Sequence, residues 1–226
     1  MTKKAVLFDL DGTLLHTVPD LAAAVNAMLV DLGKPVLPED TVAVYVGKGA
    51  ENLVNRSLTG SMTEKASPEL YAQAMANWQN HYTQINGNHS VFYPGVKEGL
   101  EMLKNAGYKL AVVTNKPERF TKPLLERTGI AHYFEVMVGG DTCPVKKPDP
   151  MPVIHACALL GVEPAQALMI GDSVNDALAA NAAGVECWLL PYGYNEGRSV
   201  HETPCDGIVN TIEEAAQRLL GTRVPQ

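Results

Sequence analysis

The sequence has no excess of basic residues. Its 18 lysine and arginine side chains are outnumbered by 25 aspartate and glutamate side chains, which gives a formal net charge of −7 at pH 7. No run of Lys or Arg interrupts this balance, so a nucleic-acid backbone or an anionic membrane surface would be repelled overall. We therefore expect neither nucleic acid nor a membrane as a partner. A small anion can still bind where a metal ion or a few lysines form a local positive centre.

Cysteines and long apolar runs are also scarce. The four cysteines form no C-x-x-C pair, so the sequence does not predict a zinc site. No apolar stretch approaches the roughly 20 residues needed to span a bilayer, and the first residues do not resemble a signal peptide. We expect a cytoplasmic protein with reduced thiols, either a monomer or a homodimer. Hydrophobic residues make up 46% of the 226 residues, which is enough for a sizeable core.

Short apolar runs alternate with helical patterns along most of the chain. Runs typical of strands buried on both faces lie at 5–8, 110–113, 136–138, 167–170, 188–190 and, more weakly, 208–209. Apolar residues at helical spacing predict helices at 95–105, 118–127, 153–160 and 211–220. The second of these contains Pro123, and the last opens with the capping-box spacing of Thr211 and Glu214. The alternation predicts an α/β fold with a doubly wound, Rossmann-like parallel sheet.

Residues 17–90 depart from this alternation, because the apolar patterns in them have helical spacing. We predict a first helix capped by Thr17, further helices near 39–46 and 50–58, and a fourth that opens at Ser67-Pro68. The prediction is a helical cap domain of residues 17–90, inserted into a catalytic core formed by residues 1–16 and 91–226. The stretch after Leu15 and the polar segment 86–90 would be the hinges.

Polar side chains follow four of the predicted strands, directly or after a short loop. In chain order they are Asp9 and Asp11, Thr114 and Asn115, Lys146 and Lys147, and Asp172 and Asp176. Ligands of open α/β sheets bind at the carboxyl ends of the strands, so we expect these groups to lie close together at one edge. Clustered carboxylates repel one another unless a cation lies among them, and oxygen ligands without His or Cys favour Mg²⁺. A hydroxyl and an ammonium beside that cation would form a site for a transferring phosphoryl group, with an aspartate as nucleophile.

Each of these residues also has an ordinary structural explanation. The Asp-Gly pair at 11–12 is typical of a turn, and Asp172 and the serine after it could only cap the following helix. Asp176 could only offset the helix dipole, while Thr114 and Lys147 could be plain loop residues. Taken singly, these explanations are as good as the catalytic one or better. The joint occurrence of the residues after separate strands favours the site.

The motifs, taken in this order, resemble those of the haloacid dehalogenase-type hydrolase superfamily. The resemblance covers essentially the whole chain and rests on Asp9-Leu-Asp-Gly-Thr-Leu14, Thr114-Asn115, Lys147-Pro148 and Gly171-Asp-Ser-Val-Asn-Asp176. It implies a phosphatase in which Asp9 attacks phosphorus and also binds Mg²⁺. It further implies that Asp11 protonates the leaving oxygen, then activates water, and contributes its backbone carbonyl to the metal.

The same resemblance implies the remaining roles. Asp172 would bind Mg²⁺ directly. Asp176 would either stabilise the metal ligands without touching the ion or contact the ion through a water molecule. Thr114, Asn115 and Lys147 would hold the phosphorylated substrate.

Within that superfamily, the sequence is similar to the phosphoglycolate phosphatase subgroup at 45–52, 112–117, 139–141 and 191–195. This similarity implies a small phosphorylated metabolite as substrate, with 2-phosphoglycolate as the leading candidate. Lys48, between two glycines, is then a candidate ligand for the substrate carboxylate, whereas Arg56 is expected to be a surface ion-pair partner. Three alternatives stay open: a mutase resembling β-phosphoglucomutase, phosphonate carbon–phosphorus cleavage, and a non-catalytic binding protein on the same fold.

Overall fold

The computed structural model describes residues 2–221, in which the chain forms eight strands and nine α-helices. The strands are β1 (Ala5–Phe8), β2 (Leu15–His16), β3 (Val91–Phe92), β4 (Lys109–Val113), β5 (Val136–Val138), β6 (Ala167–Gly171), β7 (Glu186–Leu189) and β8 (Gly207–Ile208). The helices are α1 (Val18–Asp31), α2 (Glu39–Tyr45), α3 (Gly49–Thr59), α4 (Pro68–Ile85), α5 (Val96–Asn105), α6 (Glu118–Arg127), α7 (Met151–Leu160), α8 (Val174–Ala183) and α9 (Ile212–Leu220). Residues 1 and 222–226, which the sequence assigns to the core domain, lie outside the described residues.

Six strands form one parallel sheet in the order β5-β4-β1-β6-β7-β8. β1 lies inside the sheet, where Phe8 is opposite Val112 of β4 and Ile170 of β6. From β1 the chain continues to β4 and β5 on one side and then returns to β6 on the other side. This arrangement confirms the predicted fold class. It also opens a crevice at the carboxyl end of β1, where ligands of open sheets bind.

Helices cover both faces of the sheet. Ala5 and Leu7 point into an apolar cluster that contains the buried residues of α7 and α8. Val6 and Phe8 point into a second cluster, formed with buried residues of α5, α6 and α9. All four side chains are fully buried, as the continuous apolar run predicts. Packing on both faces fixes the strands and therefore fixes the loops that leave their carboxyl ends.

Helices α1 to α4 form a helical insert, residues 17–90, with an apolar cluster of its own. Val25, Met28 and Trp78 are among its buried members, and Phe120 of α6 and Tyr194 join it from outside the insert. The insert therefore packs on the sheet domain through apolar contacts as well as through its two connecting segments. The division into a core domain and a movable cap stays a prediction.

The two connecting segments of the insert are bonded to each other. β2 pairs with β3 in antiparallel fashion, with Leu15 opposite Phe92. The carboxylate of Asp20, in the first turn of α1, is fully buried. It accepts hydrogen bonds from the backbone N–H groups of Gly87, His89 and Ser90 and from the Ser90 hydroxyl, at distances of 2.5–3.0 Å. One carboxylate thus holds the start and the end of the insert together.

Local capping differs from the prediction at two helices. Thr17 makes no side-chain cap for α1; instead, the N–H groups of Thr17 and Val18 donate to the hydroxyl of Tyr194 at 3.0 and 3.2 Å. Thr211 accepts from Glu214 N as predicted, but Glu214 accepts from Asn210 N at 2.8 Å, which leaves the capping box incomplete. The capping of α1 is therefore set by Tyr194, which is distant in the chain. The capping of α9 is set by Asn210, which lies one residue before the motif.

Other predicted elements are confirmed with small changes of bounds. Ser67 caps α4 by accepting from Leu70 N, and α6 runs over 118–127 although it contains Pro123. The pair of short strands β2 and β3 was not predicted. Within residues 2–221, no helix combines the length and the apolar character needed to cross a bilayer.

Asp20→Ala is expected to lower the free energy of unfolding by about 3 kcal/mol, because it removes a buried carboxylate that accepts four hydrogen bonds from Gly87, His89 and Ser90. Urea denaturation followed by circular dichroism measures the change. Asp40→Ala, an exposed acid in the first turn of α2, is the control and should cost at most about 1 kcal/mol. Equal, small effects of the two substitutions would contradict the role given to Asp20.

Candidate active site

Three aspartates converge at the carboxyl edge of the sheet, although they are far apart in the sequence. Asp9 follows β1, whereas Asp172 and Asp176 lie between β6 and the first turn of α8. All three are buried, and one carboxylate oxygen of each lies within 4.8 Å of the corresponding oxygens of the other two. The structure thus brings together three of the four acids that the sequence predicts at this edge, whereas the Asp11 carboxylate pairs with Lys116.

Asp9 has an unsatisfied carboxylate. Its Oδ1 is buried and makes no hydrogen bond with any residue from 2 to 221, although Lys147 Nζ lies 3.1 Å away as an ion-pair partner. Burial raises the pKa of Asp9 to about 6; the Lys147 ammonium opposes this shift, and the charges of Asp176 and Asp11 add to it. The position of Asp9 is therefore one in which additional positive charge would be favourable.

Lys147 supplies the buried positive charge of the cluster. Its ammonium donates to Asp176 Oδ1 at 2.6 Å and to the backbone carbonyl of Val113 at 2.6 Å. Burial lowers the pKa of Lys147, but the carboxylates of Asp176 and Asp9 outweigh burial, so the pKa is held above its ordinary value. Lys147 is therefore a cation fixed in place beside Asp9.

Asp172 and Asp176 are held by hydrogen bonds from neighbouring loops. Asp172 accepts from the Thr13 hydroxyl at 2.7 Å and from the backbone N–H of Tyr194. Asp176 Oδ2 accepts from the backbone N–H and the hydroxyl of Ser173, which completes the capping box of α8. Ser173 and Asp176 therefore cap α8, whereas Asp172 takes no part in the cap and its role toward a metal stays a prediction. Burial, Asp9 and Asp176 together raise the pKa of Asp172 well above its ordinary value.

Thr114 and Asn115 occupy the loop after β4. Thr114 donates its backbone N–H to the carbonyl of Val138 and lines the cavity in front of Asp9. The side-chain nitrogen of Asn115, Nδ2, donates to the backbone carbonyl of Lys147 at 2.8 Å and to that of Gly47 at 3.0 Å. Asn115 thus joins the lysine loop to the helical insert, and its buried Oδ1 has no partner within the described residues.

A cavity with about 450 Å³ of empty space lies between the sheet edge and the helical insert. Asp9, Asp11 and Thr114 are on the sheet side, and Leu21, Val46, Leu53 and Trp78 form an apolar wall on the insert side. Polar chemistry and apolar enclosure are therefore supplied by different parts of the chain.

Lys116 belongs to this cavity, and sequence reasoning did not single it out. Among the described residues it is the only cationic side chain in the cavity lining. Its ammonium contacts both carboxylate oxygens of Asp11 and the hydroxyl of Tyr82. Burial lowers the pKa of Lys116, but Asp11 and Tyr82 outweigh burial, so the pKa is held above its ordinary value. The sequence signal that could have identified Lys116 as a site residue is its position directly after Thr114-Asn115.

The two basic residues predicted in the insert contact the loop after β7. Lys48 Nζ lies 3.2 Å from Glu196 Oε1, with 39% of its side chain exposed, and it is not part of the cavity lining. Arg56 is buried rather than on the surface as expected: it donates to Glu196 at 2.7 Å and to the carbonyls of Tyr45 and Met62. Arg56 is buried because its guanidinium satisfies backbone carbonyls that α2 and the α3–α4 connection leave free. A role for Lys48 toward substrate stays a prediction.

The sheet, the order of the motifs and the buried aspartate cluster define a hydrolase of the haloacid dehalogenase-like class. The chain belongs to the haloacid dehalogenase-like hydrolase family, whose pattern it matches over residues 6–190. This membership confirms the resemblance drawn from the motifs.

Individual relatives are similar over almost their whole length. The chain is 50% identical over 213 residues to the phosphoglycolate phosphatase of Thiobacillus denitrificans, covering 94% of each protein. It is 50% identical over 214 residues to the phosphoglycolate phosphatase of Nitrosospira multiformis, covering 95% of this chain and 94% of that protein. A crystal structure described as a predicted phosphoglycolate phosphatase, from Haemophilus somnus 129pt, has a TM-score of 0.91 at 36% identity and covers 96% of this chain and 98% of that one.

Glu196→Gln is expected to lower the free energy of unfolding at neutral pH, with a difference from wild type that shrinks as pH falls below 4.5. Burial raises the pKa of Glu196, but hydrogen bonds from Arg56 and Lys48 outweigh burial and hold the pKa below its ordinary value. A carboxyl whose pKa is lower in the folded state stabilises the fold above its unfolded pKa, and this contribution is lost as pH falls through the folded pKa.

Urea denaturation at several pH values measures this dependence. Glu202→Gln, an exposed acid in the same part of the chain, is the control and should follow wild type throughout. A difference between Glu196→Gln and wild type that stays constant down to acidic pH would show that the ion pair is not its source.

Proposed function

We propose that this protein is a Mg²⁺-dependent phosphatase that hydrolyses a small phosphate monoester, most specifically 2-phosphoglycolate, through an aspartyl-phosphate on Asp9. The environment of Asp9 carries the proposal. Its carboxylate adjoins the cavity between the sheet edge and the helical insert, next to the ammonium of Lys147 and the carboxylates of Asp172 and Asp176. A carboxylate beside fixed positive charge is a competent nucleophile toward phosphorus.

The acidic cluster fits a divalent cation. Within the described residues, Asp9 Oδ1 has an ion-pair contact with Lys147 but no hydrogen bond, and burial together with mutual repulsion raises the pKa of Asp9 and Asp172. A set of carboxylates without His or Cys suits Mg²⁺. Asp9, Asp172 and the backbone carbonyl of Asp11 would bind the ion directly. Asp176, which is already bonded to Lys147 and Ser173, would stabilise these ligands without binding the ion itself. When bound, the ion supplies charge that offsets the phosphoryl oxygens.

Residues of the chain account for both halves of the reaction. Asp9 attacks phosphorus, the bond to the leaving oxygen breaks, and Asp11 donates its proton to that oxygen. Water then attacks phosphorus, Asp11 takes up a proton from the water, and cleavage of the aspartyl-phosphate releases phosphate and restores Asp9. Thr114 and Lys147 hold the phosphoryl oxygens in both steps, and Asn115 holds the Lys147 loop in place.

The cavity favours a small substrate with few hydroxyl groups. Leu21, Val46 and Leu53 offer no hydrogen bonds to a sugar ring, and unpaired hydroxyls would be costly there. The relatives that are 50% identical are named phosphoglycolate phosphatases. Both observations support 2-phosphoglycolate over a sugar phosphate. A mutase would return a phosphosugar isomer with little free phosphate, so product analysis separates the two activities.

Asp9→Asn is expected to reduce phosphate release from 2-phosphoglycolate by at least about 10⁴-fold, because removal of a nucleophile is among the largest catalytic losses. Thermal unfolding should stay close to that of wild type, since the amide has nearly the same shape as the carboxylate. Asp40→Asn, on the exposed surface of α2, serves as the control and should retain full activity. Full activity of Asp9→Asn would rule out the aspartyl-phosphate mechanism.

Removal of Mg²⁺ with a chelator is expected to abolish phosphate release, and addition of Mg²⁺ should restore it. Asp172→Asn should weaken Mg²⁺ binding at least about tenfold, since a charged oxygen ligand is lost. Isothermal titration of Mg²⁺ into the protein without substrate measures this affinity independently of turnover. Undiminished Mg²⁺ affinity of Asp172→Asn would remove this residue from the proposed ligand set.

A further inference from the structure

Lys116 connects Asp11 to the helical insert. Its ammonium lies 2.9 Å from Asp11 Oδ1, 3.2 Å from Asp11 Oδ2 and 2.5 Å from the hydroxyl of Tyr82. An ammonium has three donors, so these contacts engage the full set. Asp11 follows β1, Lys116 follows β4, and Tyr82 belongs to α4. The group therefore joins two loops of the sheet edge to one helix of the insert.

The surroundings hold this group in place. The side chain of Lys116 is 3% exposed and that of Asp11 is 14% exposed. The ring of Tyr82 is fully buried, stacks on Trp78 with centroids 4.8 Å apart, and meets Phe120 edge-on at 5.0 Å. Because the ring is fixed in this way, its hydroxyl has a defined position relative to α4. The position of the Asp11 carboxylate is consequently set by contacts from both sides of the cavity.

We infer that Lys116 is a positioning residue for Asp11, and that Tyr82 makes this positioning depend on the packing of the helical insert against the sheet edge. The inference rests on the proposed function, in which Asp11 donates a proton to the leaving oxygen. Proton donation requires the carboxyl to lie within hydrogen-bond reach of that oxygen. A misplacement of about 1 Å can cost about 100-fold in rate, so restraint of both Asp11 oxygens has a direct catalytic consequence.

A competing role for Lys116 is direct binding of the substrate carboxylate. The engagement of all its donors by Asp11 and Tyr82 favours positioning. The two roles also differ in the substrates that they affect, because positioning of Asp11 matters only when the leaving group needs a proton.

Three small substrates separate these roles. 2-Phosphoglycolate has a carboxylate and an alkoxide leaving group that needs a proton. Ethyl phosphate has an alkoxide leaving group but no carboxylate. Acetyl phosphate releases acetate, which departs without a proton. The value of kcat/KM reports the steps up to departure of the leaving group, so it isolates the step in which Asp11 is the acid.

For Lys116→Met, kcat/KM is expected to fall about 100-fold with 2-phosphoglycolate and with ethyl phosphate, and less than about threefold with acetyl phosphate. Tyr82→Phe removes only the hydroxyl and should show the same pattern at about tenfold. In an Asp11→Asn background, Lys116→Met should cause no further loss, because the two residues act through the same proton transfer. Tyr82→Phe keeps the test available if Lys116→Met does not fold.

Two results would overturn the inference. A loss confined to 2-phosphoglycolate would make Lys116 a carboxylate ligand, and an equal loss with all three substrates, or a fully additive double variant, would make its role purely structural. The controls are Lys122→Met, exposed on α6, and Tyr71→Phe, on the same helix as Tyr82; both should match wild type with every substrate. If Asp11→Asn itself treats the three substrates alike, Asp11 is not the acid, and the proposed function fails at that step whatever Lys116 does.

Discussion

The buried ammonium of Lys147, held between the carboxylates of Asp9 and Asp176, is the interaction on which the rest of the site depends. Three buried aspartates within 4.8 Å of one another would repel strongly without positive charge among them. Lys147 supplies part of that charge and is itself fixed by the carbonyl of Val113 at the end of β4. One side chain therefore ties together the loop after β1, the end of β4 and the first turn of α8. The charge that remains uncompensated at Asp9 is what makes the edge suitable for a cation and a phosphoryl group.

The helical insert completes this edge through contacts of a different kind. Asn115 reaches the carbonyl of Gly47, Lys116 reaches Tyr82, and Glu196 reaches Arg56. These polar contacts surround an apolar wall that faces the aspartates across a small cavity. Enclosure by apolar side chains lowers the local dielectric and strengthens each electrostatic interaction inside it. The sheet edge thus carries the charged groups, while the insert supplies the apolar side of the cavity that faces them.

Prediction from the sequence succeeded for elements whose structure depends mainly on the residues within the element itself. The strand at 136–138 and the helix at 118–127 have the predicted bounds, because a short apolar run and an amphipathic helical pattern are both visible in the local sequence. It failed where the partner is distant. Thr17 looks like a helix cap, yet the hydroxyl of Tyr194 takes that place. Arg56 looks like a surface residue, yet backbone carbonyls and Glu196 bury its guanidinium. The two-residue strands β2 and β3 are too short to carry any periodic signal.

The sequence by itself determined the parallel sheet and the candidate residues at its edge, because strand periodicity and the order of motifs after strands are properties of the linear chain. Only the tertiary structure decided which charges meet. It paired Lys48 with Glu196 outside the cavity lining and placed Lys116 inside, against Asp11 and Tyr82. The physical reason is that a long lysine side chain on a loop can reach several acids, and only the packing of the helical insert on the sheet selects among them.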